Sequence, residues 1–136
     1  MRIDMGKTVF LSLKKEWYEM IESGVKLHEY RSITPYWCQR FLLDGNGNKR
    51  SKDYWTGFLS KYCFTPYEYR LSLLIGWLKK GYVSFQNVTE VVFSYGYTRR
   101  RMTFKVTEIC FGTGYPSWGA DPGEPYFVIK LSKNEK

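Results

Sequence analysis

Apolar and polar positions change period several times along this chain, and each change predicts an element. Thr8-Val9-Phe10-Leu11-Ser12-Leu13 is a short apolar run with β-branched and aromatic content, the pattern of a buried strand. From Lys15 to about Ser23 the period becomes helical. Leu13, Trp17, Met20 and Ile21 make a core stripe, and Glu16, Glu19 and Glu22 face away. At this spacing Trp17 reads as core rather than as a base-stacking residue. Gly24 stops the helix, because a glycine just past the last turn takes positive φ at low cost. Leu27 to Arg31 then alternates as a strand, so that Glu29 and Arg31, two residues apart, share one face and Lys26 sits at the strand's mouth.

Thr34-Pro35 reads as a turn or a sheet edge, since proline lacks a ladder donor and biases the residue before it toward an extended shape. Asp44 to Ser51 is a flexible polar loop without the spacing of a phosphate cradle. A helical piece follows from Asp53 to about Lys61. The strongest start signal is Thr65-Pro66-Tyr67-Glu68, with Thr65 as N-cap, Pro66 at the first helical position and Glu68 closing a capping box. Tyr67, Leu71, Leu74, Ile75 and Leu78 form one stripe, and Lys79-Lys80-Gly81 end that helix.

The last third returns to strand. Val88 to Tyr97 and Met102 to Phe111 flank Thr98-Arg99-Arg100-Arg101, a hairpin with a basic tip, and broken alternation near Val91–Phe93 predicts a bulge or a fully buried stretch. Residues 112–123 are a long loop of turn formers, Tyr126 to Leu131 is a closing strand, and the end from Lys133 to Lys136 frays. The whole reads as one α+β, mostly β domain over residues 1–136, with a helical insertion at 44–82.

Composition changes the picture in three ways. The net charge of +8 and pI near 9.4 favour polyanionic partners, and the insertion's seven basic against three acidic residues carry half of that charge. Aromatic residues make up 19%, 12 of them tyrosines, whose apolar bodies and polar tips suit half-buried, wet surfaces. The three cysteines, at 38, 63 and 110, and one histidine, His28, make no zinc-ligand pattern, so no metal and no cofactor are expected. Free thiols, no run long enough to span a membrane and no signal-peptide core predict a cytoplasmic chain.

The candidate chemistry gathers around Gly24 to Arg31. Lys26, Glu29 and Arg31 form either a surface salt-bridge cluster at a helix–strand corner or a polar site at the lip of a small β-structure. Tyr36, Trp37 and Arg40 follow closely. Aromatic faces beside guanidinium groups hold single-stranded nucleic acid or an extruded base, while Trp37 could equally cover one end of the fold. No Ser-His-Asp or Cys-His arrangement is present. An enzyme built here would use Lys26 as base or electrostatic stabiliser, Arg31 as anion clamp and Glu29 to orient a substrate.

The run Gly24-x-Lys26-x-x-Glu29-x-Arg31, preceded by Leu11-Ser12-Leu13-Lys14 and a Trp17-to-Ile21 helix, resembles the ASCH family of PUA-like β-barrels. Val92 to Tyr97 and Pro125 to Leu131 fit the same pattern, so the resemblance covers about Thr8 to Ser32 and Val88 to Ser132. It implies a PUA-like barrel with a helix after the first strand, and an RNA-linked role for Lys26, Glu29 and Arg31. The partner would be single-stranded RNA, a nucleotide or a nucleoside. It also implies two enzyme branches; with one histidine, dispersed cysteines and Glu29 set between cations, either would be metal-independent in this chain. One hydrolyses an amide on a modified cytidine with the motif lysine and a threonine where this chain has Glu29; the other is a ribonuclease of single-stranded RNA. A protein–protein module docking through the basic insertion is a further alternative.

Overall fold

In a computed structural model describing residues 6–133, the chain is α+β. Strands β1 (Lys7–Leu13), β2 (His28–Ser32), β5 (Val88–Tyr95), β6 (Arg101–Thr113) and β7 (Pro125–Leu131) form one sheet in the order β1-β5-β6-β7-β2. The sheet is mixed, with β1 parallel and β6 antiparallel to β5, and it curls strongly into a half-barrel. Strands β3 (Leu42–Asp44) and β4 (Val83–Phe85) pair antiparallel on their own. Helix α1 (Lys15–Glu22) follows the first strand; α2 (Pro35–Phe41), α3 (Lys52–Phe58), α4 (Ser60–Phe64) and α5 (Arg70–Lys79) lie in the middle of the chain. The frayed end expected from Lys133 falls, beyond that residue, outside the described residues. No helix among the described residues is long and apolar enough to cross a membrane.

The described chain forms two compact units. The first takes in residues 6–29, 87–109 and 129–133. Its β1 is a strand, as expected, but it is buried on one face only: Val9, Leu11 and Leu13 point inward, while Thr8, Phe10 and Ser12 are exposed. Beside it the register slips, Lys7 opposing Val88 but Thr8 opposing Glu90, so Thr89 is the extra residue of a bulge. Gly6 lies against that bulge at φ +74°, where an added Cβ would come 2.3 Å from the Thr89 methyl. Helix α1 buries Tyr18 and Ile21, whereas Trp17 and Met20 are only half-buried. The expected stripe is thus rotated toward Tyr18, which packs edge-on against Tyr95 at 5.2 Å. Gly24, at φ +85°, ends α1 with its N–H on the Ile21 carbonyl, and the Lys26 N–H reaches back to the Met20 carbonyl.

The second unit takes in residues 30–86 and 110–128. Its centre is aromatic: Phe127 meets Phe41, Phe111 and Phe85 at centroid distances of 5.2, 5.3 and 6.4 Å. Thr34-Pro35, expected to be a turn or edge, instead starts helix α2. The Thr34 side chain accepts from the Trp37 N–H at 3.3 Å, and Pro35, needing no donor there, occupies the first turn. Thr65-Pro66 does the opposite of what its capping pattern predicts. The Thr65 hydroxyl donates back to the Lys61 carbonyl at 2.7 Å, closing α4; a 3-10 turn at Tyr67–Tyr69 then precedes α5. Helix α5 buries Leu74 and Trp77, and Tyr67 is exposed. The Asp44 loop is tied down: that carboxylate accepts from the N–H groups of Asn46 and Asn48 and from Arg50. The Asn48 N–H, with Arg50 beside it, holds its pKa below the usual carboxylate range. Trp55, Leu59, Tyr62, Leu74 and Trp77 are all buried, so residues 44–82 supply much of this unit's core rather than a detachable appendage.

Candidate nucleic-acid interface

The motif side chains fall into two groups, one in each unit, and each has its own chemistry. In the first unit Lys26 is 1% exposed and Glu29 5%, and Lys26 Nζ donates to Glu29 Oε1 at 3.1 Å. The surface salt-bridge reading is corrected here: the pair is buried. Taking two ions out of water costs several kcal/mol each, which only close geometry and further contacts repay. One such contact is Trp17, whose ring centroid lies 4.5 Å from Nζ. Local chain geometry explains the pairing. The Gly24 turn and the Lys26 N–H bond fix the Lys26 backbone on the end of α1, and Trp17 stands on the same helix. His28, next to this pair in sequence, is half-buried; burial and, second, the nearby Lys130 cation lower its basicity.

In the second unit Arg31, Tyr36, Trp37 and Arg40 do come together. The Arg31 guanidinium lies 5.0 Å from the Trp37 ring centroid, and the Arg40 guanidinium 5.5 Å from Tyr36 and 5.7 Å from Trp37. Arg40 also donates to the Tyr36 hydroxyl at 3.4 Å. Helix α2 produces this arrangement, because residues four apart meet on one face. Tyr36 and Arg40 are one such pair. Trp37 and Phe41 are another, stacked at 5.7 Å with 13° between their planes. Phe41 is fully buried, so Trp37 is anchored to the core through one face, while Tyr36, edge-on to Trp37 at 4.7 Å, stays 46% exposed. The two readings of Trp37 are therefore shared between neighbours: Trp37 packs and Tyr36 is presented.

This second group combines two planar cations, each with several N–H donors, with one open aromatic face. Guanidinium forks match phosphate oxygens, and aromatic faces accept any base. A different set of residues escaped the sequence reading. Arg100, in the turn between β5 and β6, donates to both Glu22 oxygens at 2.8 and 2.9 Å and lies 5.1 and 5.3 Å from the Tyr18 and Tyr95 rings. Only the basic run in sequence pointed to it. Among the described residues no three His, Cys, Asp or Glu side chains group as metal ligands would.

Comparison of the chain with protein-family models, with curated proteins and with solved structures finds no match.

Proposed function

We propose that this chain is an ASCH-like, PUA-like domain that binds single-stranded RNA or a nucleotide, with Tyr36 and Arg40 as its main contacts. One observation carries the reading: the exposed Tyr36 ring with the Arg40 guanidinium over it, backed by Trp37 and Arg31. A base stacks on Tyr36, and Arg40 and Arg31 take the flanking phosphates. Trp37 holds this face to the aromatic core, so little ordering entropy is lost on binding. The half-barrel sheet and the helix after the first strand support the fold comparison. The motif and the net charge of +8 support the choice of an anionic RNA-type ligand.

Lys26 and Glu29 enter this reading as a buried ionic strut that sets the start of β2. No observation favours the hydrolase or ribonuclease alternative. At 1% exposure, with Nζ engaged by Glu29, Lys26 would have to leave its site to act as base toward a substrate. The docking alternative places its contacts on residues 44–82, and it is separated by the same experiment.

That experiment is fluorescence anisotropy of a 5′-labelled short oligouridylate across a salt series. Stacking on one ring contributes about 1–3 kcal/mol, so Tyr36→Ala should weaken binding by about 5- to 150-fold. Each phosphate contact contributes about 0.7 to the salt slope for a single strand, and Arg40→Gln should lower the slope by about that much. Salt-independent binding, or binding indifferent to both changes, would sink the proposal.

A further inference from the structure

The turn between β5 and β6 is built more firmly than a connection needs. The Tyr95 N–H bonds the Arg100 carbonyl at 3.0 Å, and the Thr98 N–H bonds the Tyr95 carbonyl at 3.0 Å. The Thr98 hydroxyl donates to Tyr95 O at 2.6 Å and accepts from the Arg100 N–H at 3.2 Å. The Gly96 N–H is held by the Leu13 carbonyl at 2.8 Å, and Ser94 Oγ donates to Gly96 O at 2.9 Å. Gly96, at φ +54°, takes the left-handed position that the turn requires.

Its three arginines differ in what they do. Arg100 is a strut, clamped by Glu22 and flanked by the Tyr18 and Tyr95 rings. Arg101 folds back onto the carbonyls of Thr98 and Arg100. Arg99 is exposed and makes no hydrogen bond or ion pair among the described residues. Next to Thr98, Tyr97 is fully exposed at 104% and packs against nothing described. A rigid turn thus presents one bare aromatic ring and one bare guanidinium two residues apart, with a surplus of positive charge after Glu22 is counted. Neither side chain helps to form the turn. Tyrosine has only two side-chain torsions to lose on capture, and a preformed loop loses almost no backbone freedom, whereas the exposed Arg99 side chain gives up rotamer entropy when it is held.

We infer that the β5–β6 turn is a second contact point for single-stranded nucleic acid, in which Tyr97 stacks on a base and Arg99 takes a backbone phosphate. The inference rests on the RNA-binding reading and adds a separate site to it. Charge complementarity and the ring favour a nucleic-acid strand over an acidic peptide, which supplies anions but no planar base to stack. Arg100 and Glu22 act as positioning residues that hold the turn's shape.

The test is anisotropy of 5′-fluorescein-labelled dodecauridylate over a sodium chloride series, with polyglutamate as competitor. Tyr97→Ala should weaken binding about 5- to 150-fold, and Arg99→Gln should cut the salt slope by about 0.7 while Arg99→Lys restores it. Both positions are exposed, so circular dichroism and the melting temperature should not move. Tip variants that bind like the unmodified chain, while Tyr36→Ala weakens binding, overturn this inference and leave the RNA reading standing. Loss at the tip with full affinity in Tyr36→Ala and Arg40→Gln supports it and removes the α2 face instead. Polyglutamate competing as well as unlabelled dodecauridylate, with Tyr97→Ala silent, makes the turn a general acidic-chain contact and overturns the stacking claim. An unmodified protein that binds no dodecauridylate overturns both.

Discussion

Lys26→Met is the sharpest probe of how this chain treats charge. Methionine keeps most of the side-chain length but removes the ammonium, leaving the Glu29 carboxylate at 5% exposure without its partner at 3.1 Å. Breaking a buried pair on one side costs about 3–5 kcal/mol. For 136 residues unfolding in one step, at about 2.1 cal/mol/K of entropy per residue, the melting temperature should fall by about 10–17 °C. Urea unfolding followed by circular dichroism measures the loss directly. The double variant Lys26→Met/Glu29→Leu should recover most of it, because removing both charges removes the desolvation cost as well. A single-variant loss below about 1 kcal/mol, the value for a solvated pair, would refute the burial argument and return Lys26 to the surface.

Three further outcomes follow from individual groups. His28, the chain's one histidine, should titrate below its usual 6.5 in an NMR series, because burial and Lys130 disfavour its cation. The unfolded chain then holds that proton more readily, so its contribution to stability is complete above 6.5 and is lost as pH falls toward the folded value; His28→Gln should flatten that slope in urea midpoints. Burial pushes the Cys38 thiol up to about 12, whereas Cys63 is exposed. A thiol reagent followed by peptide mass spectrometry should modify Cys63 in the native protein and Cys38 only after denaturation. Tyr30→Phe removes the hydroxyl that accepts the Tyr115 N–H at 3.0 Å, so it should cost about 1–3 kcal/mol and speed amide exchange in residues 112–120.

Much of the sheet was legible because strand character is local. The apolar run from Thr8 to Leu13 marks β1, although only Val9, Leu11 and Leu13 in it are buried, and the β5–β6 hairpin pairs Ser94 with Arg101 across the basic turn that its sequence marks. The two Thr-Pro dipeptides show where local reading fails. Thr34 and Thr65 are the same residue before the same residue, yet one caps a helix and the other closes one. The difference lies upstream. A helix ending at Phe64 leaves the Lys61 carbonyl open, and the Thr65 hydroxyl takes it before it can serve the next helix. Ser32-Ile33 offers Thr34 no such carbonyl, so its oxygen is free for the Trp37 N–H.

Tyr36, Trp37 and Arg40 are legible in the sequence as candidate contacts, but the turn-or-edge reading of Thr34-Pro35 misses how they are arranged. Taken as an edge, residues 34–40 would send alternate side chains to opposite faces, and Tyr36 and Arg40 would lie more than 13 Å apart along about four strand steps. As a helix, the same residues stack Arg40 over Tyr36 and Trp37 over Phe41, and the face appears at once. The Lys26–Glu29 burial could not be seen in the same way, because charge spacing reads alike for a solvated pair and a buried one. Only the surrounding chain decides that, here through the Gly24 turn and Trp17. The Tyr36–Arg40 face therefore exists only while α2 is a helix. Replacing Thr34 by alanine, which removes the cap while leaving Tyr36 and Arg40 in place, should cost about 1 kcal/mol of stability and weaken RNA binding together. If binding survives while α2 frays by amide exchange, the Tyr36–Arg40 face is not the contact.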